Sequence, residues 1–115
     1  MKIWVEVSAE FEAIHNWPDA VNFLKYPHRH KFYVQAAVTV QGKNREIEFF
    51  EFKNKLKTYL LRNFDEGEST LSCEHIAICV LEQLKIWYLA RDYRIKVSED
   101  NENSAIIEFN TEEKK

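Results

Sequence analysis

The stretch "IWVEVSAEFEAIH", residues 3 to 15, alternates apolar and polar side chains over more residues than most strands contain. Ile3, Val5, Val7, Ala9, Phe11, Ala13 and His15 share one parity, while Lys2, Glu6, Ser8, Glu10 and Glu12 share the other. Successive side chains of a strand point to opposite faces, so this period predicts a strand from Lys2 to about His15 with one buried face. A bend or bulge partway is expected at that length. The run "FYVQAAVTV" predicts a second strand. His28 and His30 precede it with the parity of Phe32, Val34, Ala36, Val38 and Val40, so both imidazoles face the way the apolar side chains face. "NWPDAVNFLKYP" joins the two strands, "QGKN" turns the chain out of the second, and hairpin pairing is the economical arrangement.

The period then changes. From Glu46 to Phe64, Phe49, Phe52, Leu56, Tyr59, Leu60 and Phe64 recur at spacings of three and four. That spacing makes an amphipathic helix with Lys53, Lys55 and Lys57 outside. "DEGEST" ends it. A second helix starts near Ser72, its N-cap, and gathers Ile76, Cys79, Val80, Leu84 and Trp87 on one face. "YRIKVSE" and "SAIIEF" are two short strands joined by the turn-forming "DNEN". The order is strand, strand, helix, helix, strand, strand. It predicts an α+β domain with a four-stranded antiparallel sheet and two helices on one face.

A chain of 115 residues is one domain's worth, taken as residues 1–110 with a charged, fraying tail over 111–115. Hydrophobic residues at 45% and aromatics at 14% exclude a disordered chain. No apolar run reaches the ~20 residues of a membrane helix and no amino-terminal signal peptide is visible, so no membrane role is expected. A net charge of −3 argues against nucleic acid as the main partner, since phosphate neutralisation drives such binding. Cys73 and Cys79 form no Cys-x-x-Cys motif, and reduced thiols in the cytoplasm account for them most simply. Trp4, Trp17 and Trp87 are assigned to core or interface.

His15 at the end of strand one and His28 and His30 at the start of strand two meet if the strands form an antiparallel hairpin. Residues two apart on a strand are separated by roughly 6.6 Å, and imidazoles at that spacing converge on one ion with zinc–nitrogen distances of about 2.0–2.1 Å. Three nitrogen ligands and one open position describe a catalytic zinc site. The alternative is three histidines stacked on the sheet rim and hydrogen-bonded to backbone.

Glu99 shares its parity with Tyr93, Ile95 and Val97, so its carboxylate follows the apolar side chains. A buried carboxylate needs donors, and two adjacent N–H groups, as on the amino-pyrimidinone edge of a pterin or guanine, supply them. Alternatively the strand frays before Glu99, which then faces water. Glu74, at the second or third helical position, favours the positive end of the helix dipole on its own account. His75 is expected at the surface. Lys25, Arg29 and Lys31 either attract a phosphorylated ligand or are simply solvated.

Taken in order, "FEAIH", "HRHKFYV", "EFFEFKNKL", "LSCEH" and "KVSEDNENSAIIEF" resemble the 6-pyruvoyl-tetrahydropterin synthase and 6-carboxytetrahydropterin synthase family across nearly the whole chain. The resemblance implies a T-fold whose sheets form a barrel in trimers, often paired into hexamers. It implies zinc held by His15, the histidine of "F-x-A-x-H", and by His28 and His30, the two of "H-G-H". Glu99 takes the place of the pterin-anchoring glutamate of "V-x-E-T", and Glu74 that of the ligand-proximal glutamate of "P-T-S-E-N".

There are departures. Arg29 replaces the glycine between the two histidines. Leu24 stands about where the family has its catalytic cysteine, and the family's Asp-His pair has no counterpart in "RNFDEGESTLS". Cys73 and Asp65 are the candidates to replace those groups, and the general base stays unassigned. Two functions are therefore carried forward. One is a zinc-dependent, synthase-like lyase acting on a dihydropterin triphosphate. The other is a non-catalytic module that sequesters a pterin, a deazapurine precursor or a nucleotide.

Overall fold

Both alternating stretches form strands, and they pair residue for residue. The computed structural model describes residues 1–15, 28–42, 44–64, 68–69 and 72–111, with the backbone alone at His15, His28, Glu68 and Ser69. Strand β1 (Ile3–His15) runs antiparallel to β2 (His28–Val40) in unbroken register from Ile3↔Val40 to His15↔His28. The expected bulge is absent, because the alternation in β1 never loses step with that in β2.

Helix α1 (Phe49–Asn63) follows. It starts at the first apolar residue of the period, three residues after Glu46 where the expected segment begins, and Glu46 is engaged elsewhere. The Glu46 carboxylate accepts the backbone N–H groups of Gln41 and Gly42 and pairs with the Arg91 guanidinium. Glu48 caps the helix instead, its side chain accepting from the Glu51 N–H at 2.7 Å. Phe52, Leu56 and Leu60 are buried as the period predicts, but Phe49 is 62% exposed. As the first helical residue it overhangs the sheet end marked by Ile3 and Val40, where no strand remains to cover it.

The connection to the second helix adds a short strand β3 (Glu68–Ser69), parallel to Ile14 and His15 of β1. The sheet therefore has five strands instead of the expected four; the fifth is a two-residue pairing that takes up backbone groups at the outer edge of β1. Helix α2 (Cys73–Trp87) begins where expected, with the Ser72 hydroxyl accepting from the His75 N–H at 3.1 Å. Strands β4 (Tyr93–Glu99) and β5 (Asn103–Phe109) complete the sheet in the order β3-β1-β2-β4-β5, every pairing but β1–β3 antiparallel.

Both helices cover the sheet face that carries Val7, Phe11, Val34, Ala36, Val38, Ile95 and Val97, all buried. Burying each such large side chain contributes about 1.5–3 kcal/mol. The opposite face is polar and pairs Lys31 with Glu10 and Arg94 with Glu108. Trp4 lies on it, 38% exposed, whereas Trp87 packs edge-on against Tyr59; Trp17 falls outside the described residues. At the Ile3 end, Arg91 donates to the Thr39 carbonyl, Asp92 binds Lys2, and the Thr111 N–H donates to Asp92. Thr111 is thus tied down, and the rest of the charged tail falls outside the described residues. Among the described residues no helix is long and apolar enough to cross a membrane.

Candidate functional site

Cross-strand partners share a face, so the register can be read as rows laid across the sheet. Phe11, Phe32 and Glu99 form one row, Ala13 and His30 the next, His15 and His28 the last. All three rows lie on the helical face, at the end where β1 stops and β2 starts. The hairpin thus sets the backbones of His15 and His28 opposite each other, with His30 two residues along. The side chains of His15 and His28 lie outside the described residues. Among the described residues no three metal-ligating side chains come together.

The floor beneath these rows is aromatic. The Phe11 and Phe32 rings stack at 5.1 Å with 10° between planes, and Phe64 at the end of α1 stacks on Phe11 at 5.5 Å. His30 meets the far side of Phe32 edge-on at 6.2 Å. Such pairs are each worth about 0.5–1.5 kcal/mol beyond their area, so the histidine ring rests on a firm base.

His30 is held by a residue that sequence reasoning read only as part of a turn. Its Nδ1 lies 2.6 Å from Asp100 Oδ2, the length of a charge-assisted hydrogen bond. The other Asp100 oxygen accepts the Lys31 N–H at 3.1 Å, and the Asp100 N–H donates to the Lys31 carbonyl at 2.7 Å. Asp100 and Asn101 have φ of 50° and 60°, the left-handed values of a type I′ turn, which Asp and Asn tolerate better than other side-chain-bearing residues. That conformation turns the chain out of β4 and leaves the Asp100 carboxylate facing the neighbouring strand β2. The available signal was an aspartate directly after Glu99, where the family pattern has a threonine.

Glu99 itself is the last residue of β4, paired to Phe32 on one side and Asn103 on the other, and only partly exposed. The strand therefore does not fray before it. Cys73, buried at the first turn of α2, has its thiol pushed up to about 12, first by burial and then by the Glu99 and Glu74 carboxylates nearby. This shared influence ties the start of α2 to the end of β4. Burial and these carboxylates disfavour the Cys73 thiolate, the form a nucleophile or base requires.

Glu74 is exposed one residue further along the helix and His75 is exposed as expected. The candidates on the outer face separate from this cluster. Lys31 is taken up on the outer face by Glu10 at 3.1 Å, whose hydrogen bond and charge raise the lysine pKa. Arg29 is exposed and has the parity opposite to the histidines, while Lys25 and Asp65 fall outside the described residues. An open depression of about 680 Å³ at the opposite end of the hairpin is lined by Trp4, Val40, Arg45, Phe49 and Phe50. It lies far from these rows, and Glu46, its buttressed acid, is already bound by Arg91.

The donor chemistry at the histidine end fits zinc. Histidine is a ligand type that zinc takes, and the backbone register brings three histidine positions to this end of the hairpin.

No family model matches this sequence, and no curated protein matches it. Solved structures do match its fold. The 6-pyruvoyl tetrahydropterin synthase of Caenorhabditis elegans superposes with a TM-score of 0.72 at 14% identity, covering 95% of this chain and 96% of that one. The Plasmodium falciparum 6-pyruvoyl tetrahydropterin synthase superposes with a TM-score of 0.70 at 19% identity, covering 93% and 98%. The chain therefore has the fold of the 6-pyruvoyl tetrahydropterin synthases over most of its length.

Proposed function

We propose that this chain is a 6-pyruvoyl/6-carboxytetrahydropterin synthase-like protein that binds zinc through His15, His28 and His30 and holds a pterin- or purine-like ring against Glu99. The observation that carries the reading is the β1–β2 register, which pairs the backbones of His15 and His28 and puts His30 in the neighbouring row of the same face. Zinc bound there supplies Lewis acidity toward an oxygen of the ligand's side chain. Glu99 accepts paired N–H groups from the ring edge. Glu74 adds negative charge at the rim, and Phe11 and Phe32 exclude water from the floor.

A second reading, a non-catalytic module that sequesters such a ligand, is favoured by the state of Cys73. With its thiol pushed up to about 12, Cys73 is disfavoured as a replacement for the family's acid–base groups. The lyase reading then needs Asp65 or another base. The protein is further read as a cytoplasmic homo-oligomer, trimer or hexamer. Free Cys73 and Cys79 accord with a reducing compartment, and β5 forms an outer edge of the sheet at which a neighbouring copy could add.

Native mass spectrometry of protein purified without chelator or affinity-tag metal tests this directly. About one zinc per chain is expected, lost in His28→Ala, together with a retained small molecule that Glu99→Gln releases. An unmutated protein free of metal sinks both readings. Bound ligand without turnover of a dihydropterin triphosphate selects the second.

A further inference from the structure

The zinc reading leaves Asp100 without a role, yet Asp100 makes three bonds to two successive residues of β2. A turn-former chosen only for its left-handed backbone needs none of the side-chain bonds. Asparagine or glycine would satisfy the φ of 50° equally well. What the carboxylate adds is two fixed acceptors with no donor. One is occupied by the Lys31 N–H, which pins the carboxylate in place. The other therefore presents an acceptor to His30 Nδ1 at 2.6 Å, and an acceptor there requires the ring proton to sit on Nδ1. In the neutral ring the lone pair is then on Nε2, and the edge-on contact with Phe32 at 6.2 Å limits rotation of the ring about its own axis.

We infer that Asp100 is the positioning residue of this site: through His30 Nδ1 it fixes the tautomer and orientation that make Nε2 the zinc-binding nitrogen. The inference rests on the zinc reading above and deepens it. It also gives the turn between β4 and β5 a second function, because Asp100 directly follows Glu99. One turn thereby supplies both the ligand-anchoring carboxylate and the carboxylate that aims a metal ligand.

The test uses the full chain and two variants. In Asp100→Asn the amide oxygen stays on the Lys31 N–H and the amide NH₂ meets Nδ1, which moves the ring proton to Nε2. In Asp100→Gly the left-handed turn is kept and the acceptor is removed. Zinc affinity is read by competition with a chromophoric chelator, and the His30 tautomer by ¹⁵N–¹H correlation of the imidazole in zinc-free protein. The expected result is a loss of about 10–100-fold in zinc affinity for both variants. The wild-type ring should be protonated on Nδ1 and the Asp100→Asn ring on Nε2.

The inference is overturned if wild type takes up zinc and both variants bind it within twofold as tightly. It is also overturned if affinity falls while the tautomer in Asp100→Asn stays as in wild type, which would mark a general loosening of the turn. A wild-type chain that takes up no zinc refutes the zinc reading as well. That failure is distinct, because only there is wild-type uptake itself missing.

Discussion

Replacing Phe32 by leucine, and separately by alanine, measures how much of the site's floor is ring geometry and how much is bulk. Phe32 is 2% exposed, stacks on Phe11 at 5.1 Å and takes the edge of His30 at 6.2 Å. Leucine keeps most of the apolar volume and forfeits both ring pairs. At about 0.5–1.5 kcal/mol each, the loss is about 1–3 kcal/mol. Alanine also leaves a cavity in a core with little freedom to collapse, for a loss of about 3–5 kcal/mol. A chain of 115 residues has a total stability of about 6–17 kcal/mol, so both variants stay folded. The assay is equilibrium unfolding in urea at one fixed protein concentration, because any self-association makes stability concentration-dependent. The midpoint should fall with the slope unchanged. Phe11→Leu combined with Phe32→Leu should show a coupling of about 0.5–1.5 kcal/mol, since each variant removes the same stacked pair. The reasoning is refuted if leucine costs as much as alanine, if leucine costs nothing, or if the two leucine variants add without coupling.

Two further outcomes follow from the electrostatics. Burial, and then Glu99 and Glu74, hold the Cys73 thiol up near 12, so brief treatment with iodoacetamide at mildly alkaline pH should label Cys79 at least about tenfold faster than Cys73; peptide mass mapping reads the ratio, and equal rates refute the assignment. The Glu46 carboxyl is held below its ordinary 4.5, chiefly by the Gly42 N–H, with desolvation next and opposing it, and then by Arg91 and the Gln41 N–H. Its contribution to stability is therefore complete above about pH 4.5 and is lost as the pH falls through the lower folded-state value. Thermal melts should show Glu46→Gln less stable than wild type at neutral pH, with the gap closing on acidification; a gap that is constant with pH, or that widens in acid, contradicts this.

Most of the scaffold was legible because its signals are periodic and one-sided. Val7, Phe11, Val34 and Val38 declare a buried strand face by parity alone, and Phe52, Leu56 and Leu60 declare a helix by their spacing. Ser72 is a local cap, readable from the residue and its place before an apolar face. What escaped is what depends on distant chain segments. Phe49 fits the helical period but lies beyond the end of the sheet, a boundary the helix sequence does not contain. Two residues, Glu68 and Ser69, are too few to carry any alternation, so β3 was invisible. Asp100 lies in "DNEN", where the residue types announce a turn and nothing announces that one carboxylate reaches back to a strand 70 residues earlier. The closeness of Cys73 to Glu99 is likewise a product of α2 packing on β4.

The unbroken pairing of β1 with β2 has a consequence for how this chain tolerates change. Core and candidate site occupy a single phase of one alternation: Val7, Phe11 and Phe32 are in step with His15, His28 and His30. Deleting one residue inside either strand would put the side chains on one side of the deletion out of phase with those on the other. A change of one residue between Phe11 and His15, or between His30 and Phe32, would therefore separate the phase of the histidines from that of the core, so the length of those short intervals is what keeps site and interior together.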